Sequence, residues 1–550
     1  MTTTRVEDPV FDFDHPHEPP ARELADLLGG KGAGLAEMTS ALGLPVPPGF
    51  TVSLPLCRAY REGGWPDGLD ALLGTHRRTL EDRIGRRFGD PADPLLLAVR
   101  SGAPRSMPGM LDTVLNLGLN PETVAGLATV TGDAAFAWES YRRFLTMYAT
   151  TVLGAPAEVL DGAPGGYGPA DRRDADALRA EVDAIRRALT GAGLTVPDDP
   201  ATQLRDAVEA VFRSWDSPRA RAYRAHEGIS EDLGTAVNVQ AMVFGHLDDS
   251  SGTGVVFTRD PSTGRAGPYG DFLPRAQGED VVSGTAATMP IASMGAVLPD
   301  AYAELRGHLD RLEAHYRDLC DVEFTVERGR LWILQTRVGK RGAVAAVRAA
   351  VAMVADPAIA LGHDEAVARV PADVRDRARA EVLAAGRDAA GPAGVVATGL
   401  GASPGRATGA VVLSADAAAD SDGDVVLVRP ETSPEDVHGM SVAAGILTST
   451  GGLVSHAAVV ARGWGLPAVV GAASLTVGPD DVRDAGGTRL FGPGDVITID
   501  GTTGAVWLGA GTPGGDPGDG PGGTAETDDD VLARLLPELA VLQGWADGGG

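Results

Sequence analysis

Two cysteines in 550 residues, Cys57 and Cys320, are too few for a disulfide framework or a cysteine-ligated zinc site. The start, MTTTRVEDPVFDFDHPHEPP, lacks a basic segment followed by an apolar stretch, so no secretory signal is expected there. Runs of 18 apolar residues are missing too. The Ala/Val-rich stretch after Arg341 is interrupted by Arg348 and Asp356, which excludes a membrane-spanning helix at that point. Positive charge is also scarce: 47 Lys and Arg face 75 Asp and Glu, giving a net charge of −28. That balance disfavours non-specific binding to nucleic acid or to an anionic membrane surface. It also requires any phosphate-binding site to gather its basic residues locally. A soluble cytoplasmic protein is expected.

What is present is ordinary for globular chains, 43% apolar and 22% charged residues. The length exceeds one core and predicts about three to four domains. Residues 20–340 mix helix and strand patterns, with a helix-rich stretch at 135–225 where Trp138, Tyr141, Phe144 and Leu145 recur at helical spacing. Glu323–Val326 and Leu331–Leu334 alternate apolar and polar residues around a Glu327–Arg330 turn, a half-buried hairpin. Residues 341–390 predict a connector of two Ala-rich amphipathic helices separated at Asp356-Pro357. Beyond a GPAG turn at 391–394, residues 391–510 predict a compact β-rich domain with strands GAVVL, DVVLV, AVV and DVITI. A Gly/Pro/Asp-rich linker at 511–530 is expected to be disordered, and one helix at Val531–Trp545 closes the chain. Residues 1–19 form an N-terminal arm.

Five segments carry chemistry. GGKGAGLAEM, Gly29–Met38, is a glycine-rich turn opening a helix, with Lys31 able to meet phosphate; it is neither a P-loop nor a dinucleotide fingerprint, and alone it also fits a plain helix entry. In AVRSGAPRSMPGMLDTVLNLGLN, Ala98–Asn120, Arg100 and Arg105 suit bidentate contact with polyphosphate, or are solvated arginines beside a turn. The stretch 234–264 reads as two strands around a Ser251–Gly254 flap, or as an ordinary hairpin. In DVEFTVERGRLWILQTR, Asp321 and Glu323 share one strand face, Gln335 and Arg337 share the same relation on the return strand, and all four would fall on one surface. That is a hard-oxygen set suited to Mg²⁺, beside an arginine for a transferring phosphoryl group, or a salt-bridged surface. In TSTGGLVSHAAVVARGWG, Thr448–Gly465, His456 follows a Gly-Gly turn and precedes a helix start, which predicts an exposed ring beside free N–H groups.

In this order the segments, together with AQGEDVVSGT, closely resemble the pyruvate, phosphate dikinase family from about residue 20 to 510. The resemblance implies a multidomain α/β protein. It has an ATP-grasp nucleotide-binding domain at 20–340, a helical connector, and a compact β/α phosphohistidine swivelling domain at 391–510. It implies that Lys31, Arg100, Gly109, Gln240, Thr253, Glu279, Asp321, Glu323, Gln335 and Arg337 line an ATP site, with Mg²⁺ on Asp321, Glu323 and Gln335. His456 would take the β-phosphoryl end of ATP, leaving AMP, and inorganic phosphate would remove the terminal group as pyrophosphate. Family members also carry an (α/β)-barrel for pyruvate or phosphoenolpyruvate. Leu542–Asp547 resembles the entry to that barrel, so the expectation is a half-reaction on this chain and a barrel protein as a separate partner. The threonine that plant members phosphorylate two residues before the histidine is here Val454, so that switch should be absent. Transfer to another small molecule or protein, and a non-catalytic ATP-binding remnant, remain the alternatives.

Overall fold

The computed structural model describes residues 9–107, 109–160, 174–282, 288–387, 394–510 and 527–548. The expected linker lies outside these residues as far as 526, and the GPAG turn as far as 393. Packing separates two units that do not follow chain order. The first comprises Met1–Gly252, Pro274–Gln277 and Phe324–Thr336; the second comprises Thr253–Leu273, Gly278–Glu323 and Arg337–Gly550.

The first unit is built on an antiparallel sheet of β1 (Val10–Asp12), β2 (Gly49–Val52), β3 (Leu97–Gly102), β4 (Thr113–Leu117) and β5 (Ala236–Ala241), in the order β1-β2-β5-β3-β4. Helix α1 (Ala25–Ala36) packs against it. The helix-rich expectation for 135–225 is met by α2 (Ala134–Thr151), α3 (Ala175–Gly191) and α4 (Pro200–Ser214). Their starts are chemically marked. Asp133 accepts from Phe136 N at 2.9 Å, and Asp199 from Thr202 N at 2.9 Å with Pro200 in the first turn. Each cap satisfies a backbone donor that the helix cannot, worth about 1 kcal/mol. Tyr141, Phe144 and Leu145 point into the core with Val208, Val211 and Phe212.

A second sheet joins β6 (Gly252–Arg259), β7 (Ala266–Pro274), β8 (Met289–Pro290), β9 (Cys320–Glu327) and β10 (Arg330–Val338) in the order β8-β7-β6-β9-β10. β9 and β10 are the predicted hairpin, turned through Arg328 and Gly329, both at positive φ.

The rest of the second unit holds a helical platform and an eight-stranded sheet. The connector is three helices rather than two: α5 (Ala343–Ala355), α6 (His363–Arg369) and α7 (Ala372–Arg387). The extra break falls at Val370, whose φ of −125° and ψ of 74° leave the helix just before Pro371. A residue preceding proline is pushed from helical to extended backbone. The sheet contains β11 (Val395–Thr398), β12 (Leu400–Ser403), β13 (Arg406–Val412), β14 (Val425–Arg429), β15 (Gly445–Thr448), β16 (Ala468–Val470), β17 (Val496–Asp500) and β18 (Ala505–Leu508). Its order is β11-β18-β17-β13-β14-β15-β16-β12, with β13 to β16 successively parallel. Parallel neighbours need crossovers, and α8 (His456–Trp464) is the crossover from β15 to β16. It places His456 just past the C-terminal end of β15.

The predicted C-terminal helix is two helices, α9 (Asp528–Leu535) and α10 (Pro537–Ala546). Proline at 537 has no N–H to continue the ladder, and Leu536 turns out at φ −147° and ψ 60°. Both helices lie on the platform, burying Val531, Leu532, Leu536 and Leu542 among Val347, Met353, Ala366 and Val370. Trp545 stacks on His363 with ring centroids 4.4 Å apart. Among the described residues no helix is long and apolar enough to cross a membrane.

Candidate functional site

In the first unit, β3 and β5 pair with Arg100 opposite Asn238 and Ala98 opposite Gln240. Paired residues, and residues two apart on one strand, share a face, so Arg100, Asn238 and Gln240 line one side of the sheet. Helix α1 is broken at Gly29, whose left-handed backbone (φ 71°, ψ 159°) lets the GGKG turn press against the end of β3. A Cβ at Gly29 would lie 1.7 Å from the Gly102 carbonyl oxygen, so only glycine fits. Gly30 N then donates to Ala103 O at 2.9 Å, and the Lys31 Cβ comes within 3.6 Å of a Cβ built on Gly102. The glycines thus bring Lys31 to the edge of the strand that carries Arg100. Gln240 is 3% exposed, and its Nε2 donates to Pro47 O at 3.1 Å. Gly109 has φ 71° in the loop after β3, and Gln335 is a buried residue of β10.

The second unit holds Thr253, Glu279, Asp321, Glu323, Arg337 and His456. Thr253 is buried on β6, 3.9 Å from a Cβ built on Gly278, the residue before Glu279. Arg337 Nε donates to Asp321 Oδ2 at 2.7 Å, and its Nη2 lies 3.7 Å from Glu323 Oε1. Asp321 above all, then Glu323, holds the guanidinium pKa above its usual value, against the opposing effect of burial. The alternation read from the sequence therefore assembles one cation and two carboxylates. Among the described residues, no group of three or more His, Cys, Asp and Glu side chains is gathered closely enough to hold a metal ion.

His456 departs from expectation in one respect. Its ring is not exposed but half-buried, and Nε2 is shielded from solvent with no hydrogen-bond partner among the described residues. The loop 431–436 accounts for part of this cover, because Thr432 Oγ1 lies 3.0 Å from His456 Nδ1. Burial pushes the imidazole down to about 4, against the pull of Asp436 and Glu435. The ring is therefore neutral at pH 7. The preceding Ser455, 4% exposed at the N-cap of α8, makes no capping bond, and its Oγ also lacks a partner. Successive residues of this turn thus carry shielded polar atoms that the described residues leave unsatisfied, which calls for an explanation in the chemistry of the site.

The loop bearing His456 is held from two sides. Asp271 Oδ2 on β7 accepts from Val454 N at 3.3 Å, and burial raises that carboxyl. A Cβ at Gly452 would fall 2.3 Å from the same oxygen, which explains the second glycine of the Gly-Gly turn. Arg462, on the far turn of α8, reaches back to donate to Leu453 O at 2.6 Å and Ala402 O at 2.8 Å. Sequence reasoning missed Thr432, Asp271 and Arg462. A signal existed only for the first. Ser433-Pro434-Glu435-Asp436 has the spacing of a capping box, which forms with Asp436 Oδ2 accepting from Ser433 N at 2.8 Å. An ordered turn 24 residues before the histidine was therefore legible, though its target was not.

Residues 65–290 match the family described as pyruvate phosphate dikinase, AMP/ATP-binding domain, and residues 421–504 match the PEP-utilising enzyme, mobile domain. The pyruvate, phosphate dikinase of Rhizobium meliloti is 46% identical over 527 residues, covering 91% of this chain and 58% of that protein. The chloroplastic enzyme of Flaveria pringlei is 47% identical over 522 residues, covering 92% and 54%. That of Clostridium symbiosum is 44% identical over 499 residues, covering 88% and 56%. The chain spans a little over half the length of these curated relatives. Over the part that it spans, the chain is similar to the pyruvate, phosphate dikinases, and it matches their AMP/ATP-binding domain and a PEP-utilising mobile domain.

Proposed function

We propose that this chain phosphorylates its own His456 from ATP and inorganic phosphate, releasing AMP and pyrophosphate. The observation that carries the reading is the state of the imidazole: neutral, shielded, with Nδ1 beside Thr432 and Nε2 without a partner. For Nε2 to attack phosphorus, its lone pair must be free, so Nδ1 carries the proton and donates it to Thr432 Oγ1. The Nε2–P bond forms as the bond from phosphorus to the AMP oxygen breaks. An oxygen of inorganic phosphate then bonds to the outer phosphorus as the bond from that phosphorus to the bridging oxygen breaks, releasing pyrophosphate and leaving a single phosphoryl on Nε2. Phosphoryl transfer asks for position and charge neutralisation more than covalent help.

In this reading Lys31, Arg100, Gln240 and Gln335 of the first unit, with Gly109, bind nucleotide. Thr253, Glu279 and Arg337 of the second do the same. The carboxylates Asp321 and Glu323, with the Gln335 amide oxygen, fit Mg²⁺ by donor type. A bound Mg²⁺ supplies neutralisation of phosphate charge. Arg337 pairs with both carboxylates in their present arrangement, which sets a cation's ligands beside a charge that can meet phosphate.

Pyruvate, carried in the relatives' name, is the onward acceptor in this proposal. The test uses ATP labelled at the β or γ position, with and without phosphate. Acid-labile β-label on wild type and none on His456→Ala supports the reading. Absence of label under every condition refutes it and leaves nucleotide binding alone. Loss of label to added pyruvate supports pyruvate as the onward acceptor.

A further inference from the structure

The N-terminal segment contains a histidine pair unrelated to the proposed phosphoryl chemistry. His15 and His17 flank Pro16 in the sequence Asp14-His15-Pro16-His17-Glu18. Their rings meet edge to face with centroids 4.7 Å apart at 64°. Phe11, 8% exposed on β1, supports both, with centroids 5.2 Å from each ring. β1 is itself fixed in the sheet by pairing with β2. The contact is therefore part of a packed strand end.

His17 Nε2 is buried and makes no hydrogen bond among the described residues. A shielded imidazole nitrogen without a partner calls for a ligand. The charged groups of this segment divide cleanly. Asp12 receives His76 at 2.8 Å and Arg83 at 3.2 Å, while Asp14 receives Arg83 at 2.8 Å. Glu18 is exposed beside the pair. No cation faces the rings from their own segment, and Pro16 offers no backbone N–H to compete for a ring nitrogen.

We propose that His15 and His17 chelate a divalent transition ion of the zinc, copper or nickel class. Imidazole nitrogen suits these ions and serves magnesium poorly. With two protein ligands, the remaining positions belong to water, so the site is exchangeable and binds less tightly than a four-ligand structural site. Occupied, it staples the chain after β1 against Phe11. It therefore stabilises the first unit in proportion to ion concentration over dissociation constant.

The full chain is titrated with Zn²⁺ by calorimetry in excess Mg²⁺ and ATP, which occupy the oxygen ligands, alongside His15→Asn and His17→Asn. Wild type is expected to bind one equivalent more than either variant, or to bind that equivalent at least about tenfold tighter, since each variant loses one chelating imidazole. Cu²⁺ bound to wild type should show nitrogen splitting from two imidazoles by electron paramagnetic resonance. Equal stoichiometry and affinity in wild type and His15→Asn overturn the proposal. X-ray absorption of zinc-loaded wild type keeps the question answerable if a variant misfolds: two imidazoles in the shell support the site, and a shell of oxygens alone overturns it.

Discussion

Replacing Thr432 with valine keeps the side-chain shape and removes only the oxygen that meets His456 Nδ1 at 3.0 Å. In the ground state this is a neutral hydrogen bond, worth about 0.5–1.5 kcal/mol. As Nε2 bonds to phosphorus the ring acquires positive charge, and the Nδ1–H contact becomes charge-assisted, worth about 1.5–3 kcal/mol. Only the part that strengthens in the transition state changes the rate, and reorientation of an unheld ring adds to the loss. The expected result is roughly a 10- to 100-fold slower appearance of acid-labile label from β-labelled ATP in a single turnover. Thr432→Ser, which restores the oxygen, should return the rate to within about threefold. Nucleotide affinity should be unchanged in both variants. A valine variant labelled within twofold of wild type would refute the claim that Thr432 orients the nucleophile.

Gly452→Ala would place a methyl 2.3 Å from Asp271 Oδ2; it should destabilise the second unit by about 1–3 kcal/mol in urea titration and slow labelling. Adding Asp271→Ala makes room, so the double variant should regain part of the stability lost. Leu542→Ala, at a position with 0% exposure on the helical platform, should cost about 2–5 kcal/mol. Acid should weaken the fold through two buried histidines, His456 lowered to about 4 and His246 to about 3, both by desolvation. Between these values and 6.5 the unfolded chain binds more protons than the folded one, so stability rises with pH and falls as pH drops below about 6.5. Each site contributes up to about 1.4 kcal/mol per pH unit in that window. A His456→Ala variant should show a shallower slope between pH 6.5 and 4 in denaturant midpoints, and an unchanged slope would count against a neutral buried imidazole.

Local periodicity made much of this legible. The alternation in Glu323–Val326 and Leu331–Leu334 named the hairpin, and it also anticipated that Asp321, Glu323 and Arg337 would meet. The apolar run after His456 named the helix that begins on that residue. Failures came where one residue overrides a pattern, or where partners are distant in sequence. Pro371 and Pro537 each end an amphipathic pattern that composition alone would have continued. Asp271 lies 183 residues from Val454, and nothing local distinguishes it from other strand-borne acids. The ring of His456 was expected in the open because glycine-rich turns usually face solvent. The loop 431–436, ordered by its own capping box, reaches the ring and changes that outcome.

Asp271 and Arg462 hold the backbone at Leu453 and Val454, Asp271 through the Val454 N–H and Arg462 through the Leu453 C=O. Fixing a residue's backbone costs about 1–2 kcal/mol in conformational entropy. For these residues that loss occurs when the protein folds, not when a phosphoryl donor arrives. In the proposed reaction, His456 therefore meets its phosphoryl donor on a loop whose backbone is already ordered.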